Sequence, residues 1–154
     1  CDVNQADENG ATPAYAAAEN NHTAALELLV EAGCDVNQAD EGGRTPTHNA
    51  AWYGQTAALE LLVKAPGCDV NQTTEGGHTP VHFAAFNGHT AALELFIKKG
   101  LCDVNRADNY GQAPAFIAAE NGHLAALQVV VNAGCDVNQA ATNGTTPAYI
   151  AAFA

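Results

Sequence analysis

Five cysteines, six histidines and seventeen acidic residues are the side chains of this 154-residue chain with the richest chemistry. The cysteines stand at Cys1, Cys34, Cys68, Cys102 and Cys135, so 33 or 34 residues separate neighbours and no C-x-x-C pair exists. In a stack of similar units, adjacent cysteines lie a helix-packing distance of roughly 8–10 Å apart. A disulfide needs Cα atoms nearer, at roughly 4.4–6.8 Å. The cysteines therefore read as one small buried side chain per unit, with free thiols and a reducing, cytoplasmic setting. Cys1 is the exception, expected to be exposed and reactive.

His78 and His82 are four apart, a spacing that suits two metal ligands on one helix face. Pro80 begins a helix between them, however, so the pair straddles a turn. No converging Cys, His and Asp set has zinc spacing, and neither metal nor cofactor is expected. Asp35-Val36-Asn37 and its copies lack the alternating acidic positions of a calcium loop and read as turn formers. Three N-x-T tripeptides, from Asn21, Asn71 and Asn143, carry no meaning in an intracellular chain. The chain has no serine, which removes every Ser-His-Asp arrangement, and no methionine for an adaptable Met-rich groove. No module gathers an acid, a base and a nucleophile, so an enzyme is not expected.

Five Lys plus Arg against seventeen Asp plus Glu leave a formal charge of -12. That balance argues against nucleic acid and anionic membrane surfaces, which reward clustered positive charge. Hydrophobic residues make up 47%, much of it alanine, and the apolar runs are too short to cross a bilayer. The polar start at Cys1-Asp2-Val3-Asn4 does not resemble a signal peptide, and the missing initial Met suggests a processed, cut or engineered piece.

The elements that position these residues repeat along the chain. Cys-Asp-Val-Asn recurs at each cysteine. Between these markers run A-T-P-A-Y-A-A-A from Ala11, R-T-P-T-H-N-A-A from Arg44 and H-T-P-V-H-F-A-A from His78. Q-A-P-A-F-I-A-A from Gln112 and T-T-P-A-Y-I-A-A from Thr145 complete the series. A third string reads T-A-A-L-E-L-L-V from Thr23 and from Thr56, T-A-A-L-E-L-F-I from Thr90 and L-A-A-L-Q-V-V-V from Leu124. Within one unit, Thr45 suits a helix N-cap and Pro46 the first helical position. A short alanine-rich helix then stops at Gly54, as at Gly88 and Gly122, with Asn21 in the first copy. A second helix is predicted from Thr56 to about Lys64, with Leu59, Leu62 and Val63 at helical spacing. Such helices are too short to stand alone in water, so stacked units must share one continuous core.

The roughly 33-residue period, the T-P-x-H-x-A-A string, the N-G-H turn and the G-C-D-V-N string resemble the ankyrin repeat. Thr79-Pro80-Val81-His82-Phe83-Ala84-Ala85 and Asn87-Gly88-His89 match it best. The resemblance implies an all-α solenoid of paired helices with projecting β-turn fingers, and a concave face of fingers and first helices. It also implies a module that binds other proteins. One domain over 1–154 is expected, with units near 7–39, 40–73, 74–107 and 108–140 and a partial unit 141–154. Pro66 and Leu101 read as single-residue insertions in convex loops. Ala113 replaces a capping Thr, and Tyr15, Phe116 and Tyr149 stand where the pattern puts a turn-tying His. The ends lack capping repeats, which suggests a fragment of a longer array or end-to-end self-association of chains.

Columns that vary between copies are free to encode recognition. On the fingers and first-helix ends these include Arg44, His78, Gln112, Glu41, Glu75, Tyr110, Trp52, Tyr53, Phe86, Glu120 and Phe153. Trp52, Tyr53, Phe86 and Tyr110 are expected to form a central aromatic patch with an acidic rim that steers a basic protein partner. The alternative is a structural spacer, or a consensus-built scaffold with no partner of its own.

Overall fold

The computed structural model describes residues 2–152 and forms, over them, nine α-helices and no strand. They are α1 (Pro13–Glu19), α2 (Thr23–Glu31), α3 (Pro46–Trp52), α4 (Thr56–Leu62), α5 (Pro80–Phe86), α6 (Thr90–Lys98), α7 (Pro114–Glu120), α8 (Leu124–Asn132) and α9 (Pro147–Ala151). The expectations for Cys1 and Phe153 lie outside the described residues.

Each odd-numbered helix begins at a proline, preceded by an N-cap residue in extended conformation. Thr12 accepts from the Tyr15 N–H, and Thr45 from the His48 N–H. Ala113 has no side chain to do this, so α7 starts without a side-chain cap. Helices α1, α3, α5 and α7 each return through a tight turn into an even-numbered partner. Odd helices lie in one layer and even helices in another, and the odd layer is the more closely packed. Alanine makes that closeness possible: Ala18, Ala50, Ala51, Ala84, Ala85, Ala118 and Ala119 are all buried along it. A stack packed more tightly on one side bends toward that side. Leu26, Leu59, Leu62, Leu93, Phe96 and Val130 fill the space between the layers.

Three expectations are corrected. Helix α4 stops at Leu62 rather than Lys64, while α2, α6 and α8 each run nine residues. Pro66 explains the difference, because it disfavours helical backbone at Ala65 and offers no N–H. The four described cysteines are half-buried at the edge of the core, not fully buried. Tyr15 does not lose the tie between units: its Oη donates to Asp40 Oδ2 at 3.1 Å.

The units are joined by bonds that repeat with the chain. In each Cys-Asp-Val-Asn string the aspartate closes a local turn, as Asp35 Oδ1 does for the Asn37 N–H at 2.9 Å. The asparagine, read above as a turn former, instead reaches the next unit. Asn4, Asn37 and Asn105 Oδ1 accept from the N–H groups of Asp35, Asp69 and Asp136 at 2.7–2.8 Å. Asn37 and Asn71 also donate to the carbonyls of Gly67 and Leu101. The inserted Leu101 thus packs against the core and carries one of these inter-unit bonds.

Gly54 turns the chain at φ +67°, and a Cβ there would lie 2.6 Å from His89 Nδ1. Gly33 has φ +80° with nothing within 4 Å of a Cβ. Gly33→Ala should therefore cost about 1 kcal/mol of left-handed strain, and Gly54→Ala clearly more, read from urea midpoints. Equal losses would show that the imidazole yields freely. Ala113→Thr should raise stability by about 1 kcal/mol by supplying the missing cap. An unchanged midpoint would contradict it.

Candidate partner-binding face

Three of the fingers between helix pairs take their shape from one largely buried side-chain acceptor each. Asp40 Oδ1 accepts from the Gly42 and Arg44 N–H groups at 2.9 and 2.8 Å. Asp108 Oδ1 does the same for Tyr110 and Gln112, both at 2.8 Å. Thr74 holds that place in the third finger and accepts from the His78 N–H at 3.3 Å. Neighbouring fingers are linked by main-chain bonds, with Asn109 N donating to Gly76 O and Thr142 N to Tyr110 O.

The first-helix ends are pinned from the following unit. Gln55, His89 and His123 direct Nε2 at the carbonyls of Glu19, Trp52 and Phe86 at 2.8, 3.0 and 2.9 Å. A carbonyl only accepts, so each Nε2–H donates. Trp52 and Phe86 are thereby held at the C-terminal ends of α3 and α5. Their rings stack with centroids 5.4 Å apart and 18° between planes. Phe83 meets Trp52 edge-on at 5.4 Å, and the His78 ring lies 5.8 Å from Phe83.

Of the sequence candidates, Trp52, Phe86, His78, Gln112 and Glu120 come together around one cleft of about 230 Å³ between α5 and α7. Phe83 and Ile117 also line it. Arg44 and Glu41 line a separate polar cleft between the first two fingers, with Glu19 and Asp40. Tyr53, at the C-cap of α3, and Tyr110, at a finger tip, are 48% and 61% exposed and make no ring contact with the Trp52 cluster. Glu75 is exposed on the third finger, its carbonyl accepting from Asn109 Nδ2. The expected four-ring patch is thus corrected to Trp52, Phe83 and Phe86, with the two tyrosines apart from it.

Phe83 is the contributor that the sequence reading missed. Its column holds Ala16, Asn49, Phe83, Ile117 and Ile150, and that variability inside an otherwise repeated string is the signal that could have found it. Two candidates are also engaged within the chain. Arg44 Nε donates to Asp40 Oδ2 at 3.1 Å, and His78 Nε2 lies 3.2 Å from Asp108 Oδ2.

The titratable groups beneath this face are poor reagents. Burial pushes the thiols of Cys34, Cys68 and Cys135 up, and that of Cys102 up to about 11. Burial, above all, pushes His48 and His82 down to about 4. Both rings accept from an N-cap N–H at Nδ1, from Thr45 and Thr79 respectively. His48 Nε2 reaches His78 O at 3.1 Å, whereas His82 Nε2 is buried without a well-formed hydrogen bond. Among the described residues no three His, Cys, Asp or Glu side chains are grouped to hold a metal ion.

Paired short helices, fingers and a shared core define a helical-repeat solenoid. A family model of ankyrin repeats matches three copies, over residues 1–74 and 60–141, and the chain belongs to the ankyrin-repeat family. Proteins of this family are generally protein–protein interaction modules and typically not enzymes. No curated protein matches the chain. Among the described residues no helix is long and apolar enough to cross a membrane.

The two buried histidines make stability depend on pH. Unfolded, each titrates near its ordinary value of 6.5, while folded it stays neutral down to about 4. The unfolded state therefore binds more protons between these values, and stability is full above about 6.5 and falls as pH drops through that window. Urea midpoints should be lower at about pH 5 than at about pH 7.5, by a few kcal/mol at most. His48→Gln with His82→Gln should be weaker at neutral pH yet show a flatter profile. An identical slope in the double variant would contradict this account.

Proposed function

We propose that this chain is a non-enzymatic protein-recognition module that holds its partner on the face of fingers and odd-numbered helices. The observation that carries the reading is the Phe86 ring, 43% exposed yet stacked on Trp52 at the edge of a cleft. Large aromatic side chains fixed on an otherwise polar face are what binding anchors look like, because they bury much area at little entropic cost. Here bonds from the His89 and His123 imidazoles to the carbonyls of Trp52 and Phe86 hold both anchors before any partner arrives. Glu41, Glu75 and Glu120 would form the acidic rim that favours a basic partner and hastens its encounter. Tyr53 and Tyr110 would widen the contact on either side. Four free thiols fit a reducing, cytoplasmic setting. The four raised thiols and the two lowered imidazoles are not poised as nucleophiles or bases near neutral pH, in keeping with a non-enzymatic role.

The test compares wild type with a Trp52→Ala, Phe86→Ala variant in capture from cell lysate, after circular dichroism confirms that the variant is folded. A protein held by wild type should bind the variant at least about tenfold more weakly. Leu28→Ala, an exposed change on α2, should leave its retention unchanged. Undiminished retention by the double variant would place recognition elsewhere. Retention of nothing specific by wild type would favour the spacer.

A further inference from the structure

We infer that the cleft between α5 and α7 takes one arginine side chain of the partner, with its guanidinium against the Phe86 and Phe83 rings and the Glu120 carboxylate as its counter-ion. This rests on the protein-binding reading above and commits that reading to one chemistry at one place.

The cleft's lining is mixed in a particular way. Its apolar part is mostly aromatic, from Trp52, Phe83 and Phe86 beside Ile117, and its polar groups are the carboxylate of Glu120, the amide of Gln112 and the imidazoles of His78 and His82. Glu120 is exposed and has no ion pair among the described residues. An apolar anchor would cover that carboxylate without pairing it, at a desolvation cost. A cation on the ring faces meets both halves of the lining, because aromatic faces attract positive charge and the carboxylate neutralises it. The volume of about 230 Å³ suits one side chain rather than a helix or strand.

The surrounding charge points the same way. Of the five basic residues in the chain, Lys64, Lys98 and Lys99 stand at the C-terminal ends of α4 and α6, at the opposite end of the helix pair from Trp52 and Phe86. Arg44 is held by Asp40. Arg106 precedes the fourth finger and does not line the cleft. None of these five side chains lines the cleft, and His78, which does, lies against the Asp108 carboxylate. Arginine suits it better than lysine, since a planar guanidinium lies flat on a ring while its edge forks onto a carboxylate.

Trp52 is the only tryptophan in the chain and lines the cleft, so its fluorescence reports occupancy directly. The probes are three end-capped peptides, Gly-Ser-X-Ser-Gly with X as Arg, Lys or Leu, titrated at low salt up to about 10 mM. The Arg peptide should shift Trp52 emission saturably and bind at least about threefold more tightly than the Lys peptide. Glu120→Gln should weaken it by about tenfold, with an unchanged urea midpoint because the residue is exposed. Equal binding of the Arg and Lys peptides, or indifference to Glu120→Gln, would overturn the inference in favour of general attraction to an acidic chain. No Arg-dependent change, or preferential binding of the Leu peptide, would also overturn it. Those outcomes leave the protein-binding reading standing, because that reading falls only if the Trp52→Ala, Phe86→Ala variant keeps its partner.

Discussion

No helix described in this chain exceeds nine residues, and none can persist alone in water. Everything else in the structure answers that constraint. Each helix pair borrows its stability from the next, through a small-residue core and through bonds that repeat with the chain. The asparagine of one Cys-Asp-Val-Asn string accepts from the backbone of the following one. A side chain at the start of each later even helix reaches back to the last carbonyl of the odd helix in the preceding unit. Fold and coupling between units are therefore the same thing, and stability resides at the junctions rather than within any unit.

This arrangement sorts residues by column. Many of those in repeated columns satisfy the neighbouring unit, as Asn37 and His89 do. Those in variable columns project from finger tips and first-helix ends. The division is not clean, however. Arg44 and His78 belong to a variable column, yet each lies against the carboxylate of a finger aspartate. Tyr15 occupies a repeated column and reaches a finger aspartate with a phenol rather than an imidazole. A chain of near-identical units thus solves the same local problem with different chemistry at each junction.

The fold was legible in the sequence because translation along the chain multiplies a weak local signal. One Thr-Pro cap or one left-handed glycine says little, but four such caps and five finger glycines in register leave no other architecture. The candidate site was less legible. Which rings touch depends on the register between neighbouring units, and the sequence of one unit does not contain it. So Trp52 and Phe86 were found, whereas Phe83 was passed over as part of a repeated string and Tyr53 and Tyr110 were grouped with rings they do not meet. The depth of the cysteines was misjudged for a related reason. They border the core from a loop, and their burial depends on how closely the next unit closes over them.

The junction between the third and fourth helix pairs differs from the one before it. Helix α7 has no side-chain cap, and His82 makes no bond comparable to that from His48 to His78. A linear array divides most readily at its weakest joint, so this one behaves as a seam along which α7 to α9 can part from the rest. This seam is nonetheless tied, by Asn109 N and Nδ2 to the carbonyls of Gly76 and Glu75 and by His123 Nε2 to that of Phe86. The cleft lies across that seam, with Trp52 on one bank and Glu120 on the other. Whatever occupies it fastens the two halves together, and part of its binding free energy appears as mechanical continuity of the whole stack.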